Sequence, residues 1–185
     1  MSLFTVGHGR LAREEFVSLL DSAGIESVVD VRRFPGSTHN PDMNLSAMRD
    51  WLPAAQIGYR HDVALGGRRR LTAGAPVEDP WWRVAQFAAY AAHTRTPAFQ
   101  ESITALLHQS DRSETAVMCS ESVWWRCHRR LIADVAVLRY ERPVLHVLPD
   151  GRFSRHVPAA GARLGPGGLV YWDSLHPDID DLSAP

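Results

Sequence analysis

The stretch from Met118 to Arg130 reads Met-Cys-Ser-Glu-Ser-Val-Trp-Trp-Arg-Cys-His-Arg-Arg and holds both cysteines of the chain, with Glu121, His128 and Arg129 among them. It follows an apolar run, so it is read as a strand end, a turn and a helix start. Cys127 and His128 are expected in the first turn of that helix, where free backbone N–H groups and the helix dipole favour anions. A thiolate there is stabilised, and His128 or Arg129 beside it adds to the effect, which is how a nucleophilic cysteine is made. The competing reading is that Cys127 is a small buried residue packing the helix on a sheet. Cys119, closing an apolar strand, reads as core rather than catalyst. Cys119, Cys127, His128 and His8 are also zinc-type donors. However, a seven-residue gap before an adjoining Cys-His pair is not a usual zinc spacing, and neighbouring side chains on a helix diverge, so no metal is expected.

Asp30 and Glu121 form a candidate carboxylate pair able to divide general-acid and general-base or nucleophile work. The alternative is that they hold Arg32 or Arg129 in ion pairs. Arg32-Arg33 and Arg129-Arg130 suit a phosphate or carboxylate through forked hydrogen bonds. Arg68-Arg69-Arg70 reads as a flexible basic loop which, with Trp81, Trp82, Trp124 and Trp125, has the ingredients of a nucleic-acid surface. Tryptophans at such spacing also serve as core.

The elements that must position these groups follow from the apolar pattern. Leu3 to Val6 and Ser27 to Val31 read as buried strands around a helix from Arg13 to Ala23 that Gly24 ends, which is the βαβ pattern of a parallel sheet. Asn44 is expected to cap a helix to about Ala55, with a short strand from Ile57 to Arg60 after it. Asp79-Pro80 reads as the start of a helix over Trp82 to Ala92, and Pro97 to Gln109 as a second helix. Ser113 to Cys119 reads as a strand, Arg126 to Leu138 as an amphipathic helix, and Val144 to Leu148 as the last core strand. The stretch from Leu71 to Pro80 is expected to be a surface loop, and the acidic end to be disordered. The resulting expectation is a single three-layer α/β domain over residues 1–150, with an open, mostly parallel, Rossmann-like sheet and helices on both faces, and a partly irregular C-terminal extension over 151–185. In such a sheet all strands end on one side. His8, Asp30 with Arg32 and Arg33, and Cys119 with Glu121 would therefore share a rim where α/β proteins bind ligands.

Composition narrows the classes. A chain of 185 residues, 45% hydrophobic, supports one sizeable core. No apolar run approaches the ~20 residues a bilayer demands, and the first residues lack the basic region of a signal peptide, so a cytoplasmic protein with reduced cysteines and no membrane partner is expected. A net charge of -1 argues against holding nucleic acid by overall field alone. The chain has no lysine, which excludes Schiff-base, P-loop and lysine-base chemistry.

Taken together, Thr5-Val6-Gly7-His8, Asp30-Val31-Arg32-Arg33-Phe34-Pro35 with Ser37 and Asn44, Tyr59, Leu65-Gly66-Gly67, Cys119-Ser120-Glu121 and Cys127-His128-Arg129 resemble the prokaryotic family of domains of unknown function numbered 488. The resemblance runs from about Thr5 to His146. It implies an α/β fold and a shared pocket built from these positions, with His8, Arg32, Arg33, Ser37, Asn44, Tyr59, Gly66, Gly67, Cys119 and Arg129 as its binding residues, and it supplies no substrate or cofactor. The chain departs from the pattern at Gly9, where a serine is common, and in extra residues after Gly67.

The functional expectation is a small hydrolase or group transferase acting on an anionic, nucleotide-like or nucleic-acid-derived substrate. Asp30 and Glu121 would be acid and base, or Cys127 the nucleophile with His128 as its partner. Gly7-His8-Gly9 lacks the third glycine of a dinucleotide fingerprint, which removes the case for hydride transfer. Two further readings use the same residues: a non-catalytic module whose arginines clamp phosphate, and a thiol-based sulfur-transfer or redox protein working through Cys127 and Cys119.

Overall fold

A computed structural model, which describes residues 1–37, 40–71 and 78–172, shows six strands in one open sheet. They are β1 (Leu3–Gly7), β2 (Ser27–Asp30), β3 (Gly58–His61), β4 (Thr115–Cys119), β5 (Val144–Val147) and β6 (Phe153–Arg155). Their order is β3-β2-β4-β1-β5-β6, with every pairing parallel except that of β5 with β6. Five helices flank the sheet: α1 (Arg13–Ser22), α2 (Leu45–Ala54), α3 (Ala85–Thr94), α4 (Pro97–Ser110) and α5 (Arg129–Tyr140). The open α/β sheet expected from the βαβ pattern is the fold that forms.

Side chains alternate across a strand, and here neighbouring strand residues join different cores. Leu3, Val29 and Val117 pack with the apolar stripes of α3, α4 and α5, whereas Phe4, Val28, Ala116 and Met118 pack with Phe16 and Leu20 of α1 and Met48, Trp51 and Leu52 of α2. The strands are thus covered on both faces, as parallel strands must be.

Four local expectations are corrected. First, α3 starts at Ala85 and not Trp82: the Asp79 carboxylate is occupied by Arg95 at 2.8 Å and by the backbone N–H of Tyr171 at 3.0 Å. Trp82 turns to pack on the Tyr171 ring, with centroids 5.2 Å apart. Second, Asn44 occupies the N-cap position of α2, yet its side chain accepts from the backbone N–H of Ser37 and not from its own helix. Third, α5 starts at Arg129, after a 3-10 turn over Trp124–Arg126. The Trp124 ring stacks on His146 of β5, centroids 4.0 Å apart and 8° from parallel, and this anchors the turn. Fourth, β5 is not the last strand. β6 extends the sheet, and a hairpin of β7 (Ala162–Gly165) and β8 (Gly168–Tyr171) adds Leu169 and Tyr171 to the α3–α5 core. Residues 72–77 of the expected loop and everything from 173 onward lie outside the described residues.

A buried polar chain ties this C-terminal segment to the sheet. The Asp134 carboxylate of α5 accepts from Tyr171 Oη at 2.9 Å, from Ala159 N at 3.0 Å and from His156 Nε2 at 2.8 Å. His156 Nδ1 lies 3.0 Å from His146 Nε2, and His146 Nδ1 lies 2.7 Å from Thr5 Oγ1. One order of donors satisfies the whole chain: Thr5 to His146, His146 to His156, His156 to Asp134. Tyr171→Phe leaves one Asp134 oxygen buried and short of a donor, and is expected to cost about 1–3 kcal/mol. Urea unfolding followed by tryptophan fluorescence measures it, and an unchanged midpoint would show that the bond does not hold this segment.

Candidate active site

Strand register creates the site. Gly7 pairs with Cys119 and Asp30 with Met118, and the parallel bonding continues past the strand ends, with His8 N to Cys119 O at 3.1 Å and Val31 N to Met118 O at 2.9 Å. The segments after β1, β2 and β4 therefore run side by side. Gly7 permits their closest approach: a Cβ there would lie 1.9 Å from the Glu121 carbonyl oxygen and 2.8 Å from the Arg129 guanidinium.

Cys119, Cys127 and His128 meet on this rim. Cys127 is not helical. It caps the 3-10 turn in an extended conformation, with φ -124° and ψ 152°, while His128 is the N-cap residue of α5. The divergence expected of neighbouring helical side chains therefore does not occur. His128 Nδ1 lies 3.5 Å from Cys127 Sγ and 4.0 Å from Cys119 Sγ, and the three ligand atoms lie within 4.8 Å of one another. His128 Nε2 donates to the Val31 carbonyl at 3.1 Å, which leaves the Nδ1 lone pair facing the sulfurs. The Tyr90 ring of α3 packs on the imidazole, with centroids 5.0 Å apart, and a Cβ on Gly67 would lie 2.7 Å from Nδ1. The imidazole is thus fixed from three directions.

Burial pushes the Cys127 thiol up, but the neighbouring Cys119 thiol and the charge of Arg129 outweigh it and bring Cys127 down to about 6. Cys119, facing Cys127 and buried, is pushed up to about 12.

All three groups line a cavity of about 680 Å³ whose walls include His8, Arg32, Arg33, Ser37, Gly67 and Glu121. Of the other residues implied by the resemblance, Arg129 is fully buried, and Asp30, Asn44, Tyr59 and Gly66 do not form its wall. Asp30 has no exposed surface. Its oxygens accept from Arg32 Nε at 2.9 Å, from Arg32 Nη2 at 2.6 Å and from Tyr59 Oη at 2.8 Å. The ion-pair alternative raised for Asp30 is thus what the geometry displays, and the pair directs Arg32 Nη1 to His8 Nε2 at 3.2 Å. Glu121 by contrast is exposed at the mouth and forms no ion pair among the described residues. Gly66 lies beneath the wall, where a Cβ would meet Val63 O at 2.9 Å.

Three arginines were missed as site residues. Arg10, Arg68 and Arg126 line the cavity, and with Arg33 they form no ion pair with any carboxylate among the described residues. Arg126 stands inside the Cys-Cys-His segment and Arg68 follows Gly66-Gly67, so adjacency to the motifs was the available signal. Arg68 adopts φ 55°, and its carbonyl accepts from Arg33 Nη1 at 2.8 Å. A left-handed non-glycine residue costs on the order of 1–2 kcal/mol, which the wall of the cavity sustains. A second cavity of about 1500 Å³ shares Arg33, Phe34, Arg68 and Glu121 with the first and adds Arg69 and Arg70.

The model of the family described as domain of unknown function DUF488 matches residues 12–136, and the chain belongs to that family. Neither the curated proteins nor the solved structures contain a match.

Two outcomes follow for this region. Burial, then the Arg32 charge, hold His8 down to about 4, and burial, then His156 and Arg129, hold His146 low as well. In the unfolded chain both rings take protons below about 6.5, so the unfolded state binds more protons and stability falls as pH drops from about 6.5 toward about 4. Urea midpoints across that window test this; a flat profile would contradict it, and His8→Asn should shallow it. Gly67→Ala should displace His128 and cost about 1–3 kcal/mol, readable as a lower thermal midpoint together with changed thiol reactivity; wild-type values for both would refute the contact.

Proposed function

We propose that this chain is an enzyme, a hydrolase or group transferase, that grips an anionic substrate with arginines and transforms it at the Cys119–Cys127–His128 centre. One observation carries the reading: four arginines with no carboxylate partner among the described residues, Arg10, Arg33, Arg68 and Arg126, surround the same cavity whose lining holds two sulfurs and an oriented imidazole. Guanidinium forks match phosphate and carboxylate oxygens. The exposed Phe34 ring at the mouth, with the Arg33 guanidinium 5.5 Å from its centroid, offers a stacking surface, which favours a nucleotide or a nucleic-acid-derived substrate over a simple anion.

Within this reading Glu121 is the free carboxylate for proton transfer, since it stands at the cavity mouth, and Asp30 is a positioning residue that fixes Arg32. Cys127 and His128 are the reacting pair, Cys119 and Gly67 their support. Reduced thiols at such a centre suit a cytoplasmic setting. The chain has no helix among the described residues that is long and apolar enough to cross a membrane.

Nucleoside mono- and triphosphates and a short single-stranded oligonucleotide, titrated at low salt, test the pocket. Binding is expected to weaken with salt and to fall at least about tenfold in Arg68→Ala/Arg126→Ala, in line with the loss of charge-assisted hydrogen bonds. Turnover of whichever ligand binds is expected to vanish in Cys127→Ser and to drop steeply in Glu121→Gln. No binding by any of these anions at low salt would overturn the pocket; binding with full turnover in both variants would overturn the catalytic assignment.

A further inference from the structure

The reacting centre has the dimensions of a metal site. Zinc–sulfur and zinc–nitrogen bonds of about 2.3 and 2.0–2.1 Å at tetrahedral angles place sulfur about 3.5 Å from nitrogen and about 3.8 Å from a second sulfur. His128 Nδ1 is 3.5 Å from Cys127 Sγ and 4.0 Å from Cys119 Sγ. With all three atoms within 4.8 Å of one another, the sulfurs need to close by at most about 1 Å to meet that geometry.

We propose that Cys119, Cys127 and His128 bind one zinc ion, with the fourth position open to the arginine-lined cavity. The imidazole is already prepared. Its Nε2–H is committed to the Val31 carbonyl, the outer-shell bond that metal-bound histidines characteristically make, and the free nitrogen points at the sulfurs. The ligands come from three rigid places: the last residue of β4, the extended residue before α5 and the N-cap of α5. Three protein ligands of the Cys-Cys-His type with one vacant position describe a catalytic zinc site, whereas structural sites are closed by four. The donor set is soft enough to exclude magnesium and calcium.

Charge balance agrees. Two thiolates neutralise the ion, and a hydroxide or substrate oxyanion in the fourth position adds one negative charge, for which the fully buried Arg129 guanidinium next to the centre is the counter-charge. This inference rests on the anion-pocket reading above and replaces its nucleophile: with Cys127 and His128 as ligands, a water or an anionic oxygen held by the arginines, and not the Cys127 sulfur, would be the reacting group on the ion.

Full-length protein purified without chelator or metal resin is expected to carry about one zinc per chain, in keeping with a single three-ligand site. After chelator treatment, cobalt(II) added to the metal-free protein should give thiolate charge-transfer bands and the intense visible bands of tetrahedral cobalt, and zinc should bleach them. Cys127→Ser should lose about half of the charge-transfer intensity, since one of two thiolates is removed, and His128→Asn should weaken affinity by at least about tenfold; cobalt spectra of the wild type keep the test valid if a variant fails to fold. Absence of the cobalt bands with both thiols still open to a disulfide reagent after zinc addition would overturn the metal site, as would stoichiometric iron or copper in place of zinc. Nucleotide binding measured on the same samples separates the two claims: retained without metal, it leaves the anion pocket standing; lost in zinc-loaded protein, it removes the pocket and not the metal.

Discussion

A permanent cation with no exposed surface governs this architecture. Among the described residues Arg129 is the largest fully buried side chain, and it forms no ion pair with a carboxylate there. Desolvating a guanidinium is costly unless its surroundings supply compensating charge and acceptors. Here the Glu121 carbonyl and Thr5 Oγ1 accept from it, and its charge helps to draw the Cys127 thiol down. Its position fixes three things together: the loop after β4 must bring the Glu121 carbonyl inward, β1 must present a hydroxyl, and Gly7 must lack a side chain where the loop and guanidinium cross.

The electrostatic roles of the other arginines follow from how their charge is met. Arg32 is saturated by Asp30, with Tyr59 completing the carboxylate's bonds, and burial and the Asp30 charge drive the Tyr59 hydroxyl above its usual range. That cluster is a rigid wall. Arg10 and Arg126, which are exposed, and Arg68, held out on a left-handed turn, form no ion pair among the described residues and leave their charge facing solvent. One neutralised, oriented arginine beside several free ones gives the cavity a field that disfavours cations.

Much of this was legible in the chain. The βαβ rhythm of Leu3–Val6, Arg13–Ala23 and Ser27–Val31 defines a parallel sheet, and a parallel sheet puts the residues after each strand on one rim, so His8, Arg32, Cys119 and Glu121 converge for topological reasons alone. The conformation of Cys127 was not legible. Whether Cys-His lies inside a helix or just before it depends on Trp124 stacking against His146, a contact across 22 positions that no local pattern encodes. The start of α3 was missed for the same kind of reason, because Asp79 is claimed by Arg95 and Tyr171 and not by the helix it was expected to start. Local propensity loses wherever a buried long-range partner offers more.

The family match over residues 12–136 contains Cys119, Cys127 and His128 yet leaves out β1 and β5. β1 lies between β4 and β5 in the sheet, supplies Gly7 and His8 to the rim, and contributes Thr5 to both the Arg129 contact and the buried chain that runs through His146 and His156 to Asp134. His146 in turn carries the Trp124 ring that sets the turn before Cys127. The turn that leads into Cys127 is therefore anchored from outside the matched segment, whereas His128 is held from within it by Val31, Tyr90 and Gly67. A substitution that loosens the His146–His156–Asp134 chain is therefore expected to reach Cys127 through that stacked ring, by altering where its side chain points and not by touching the cavity.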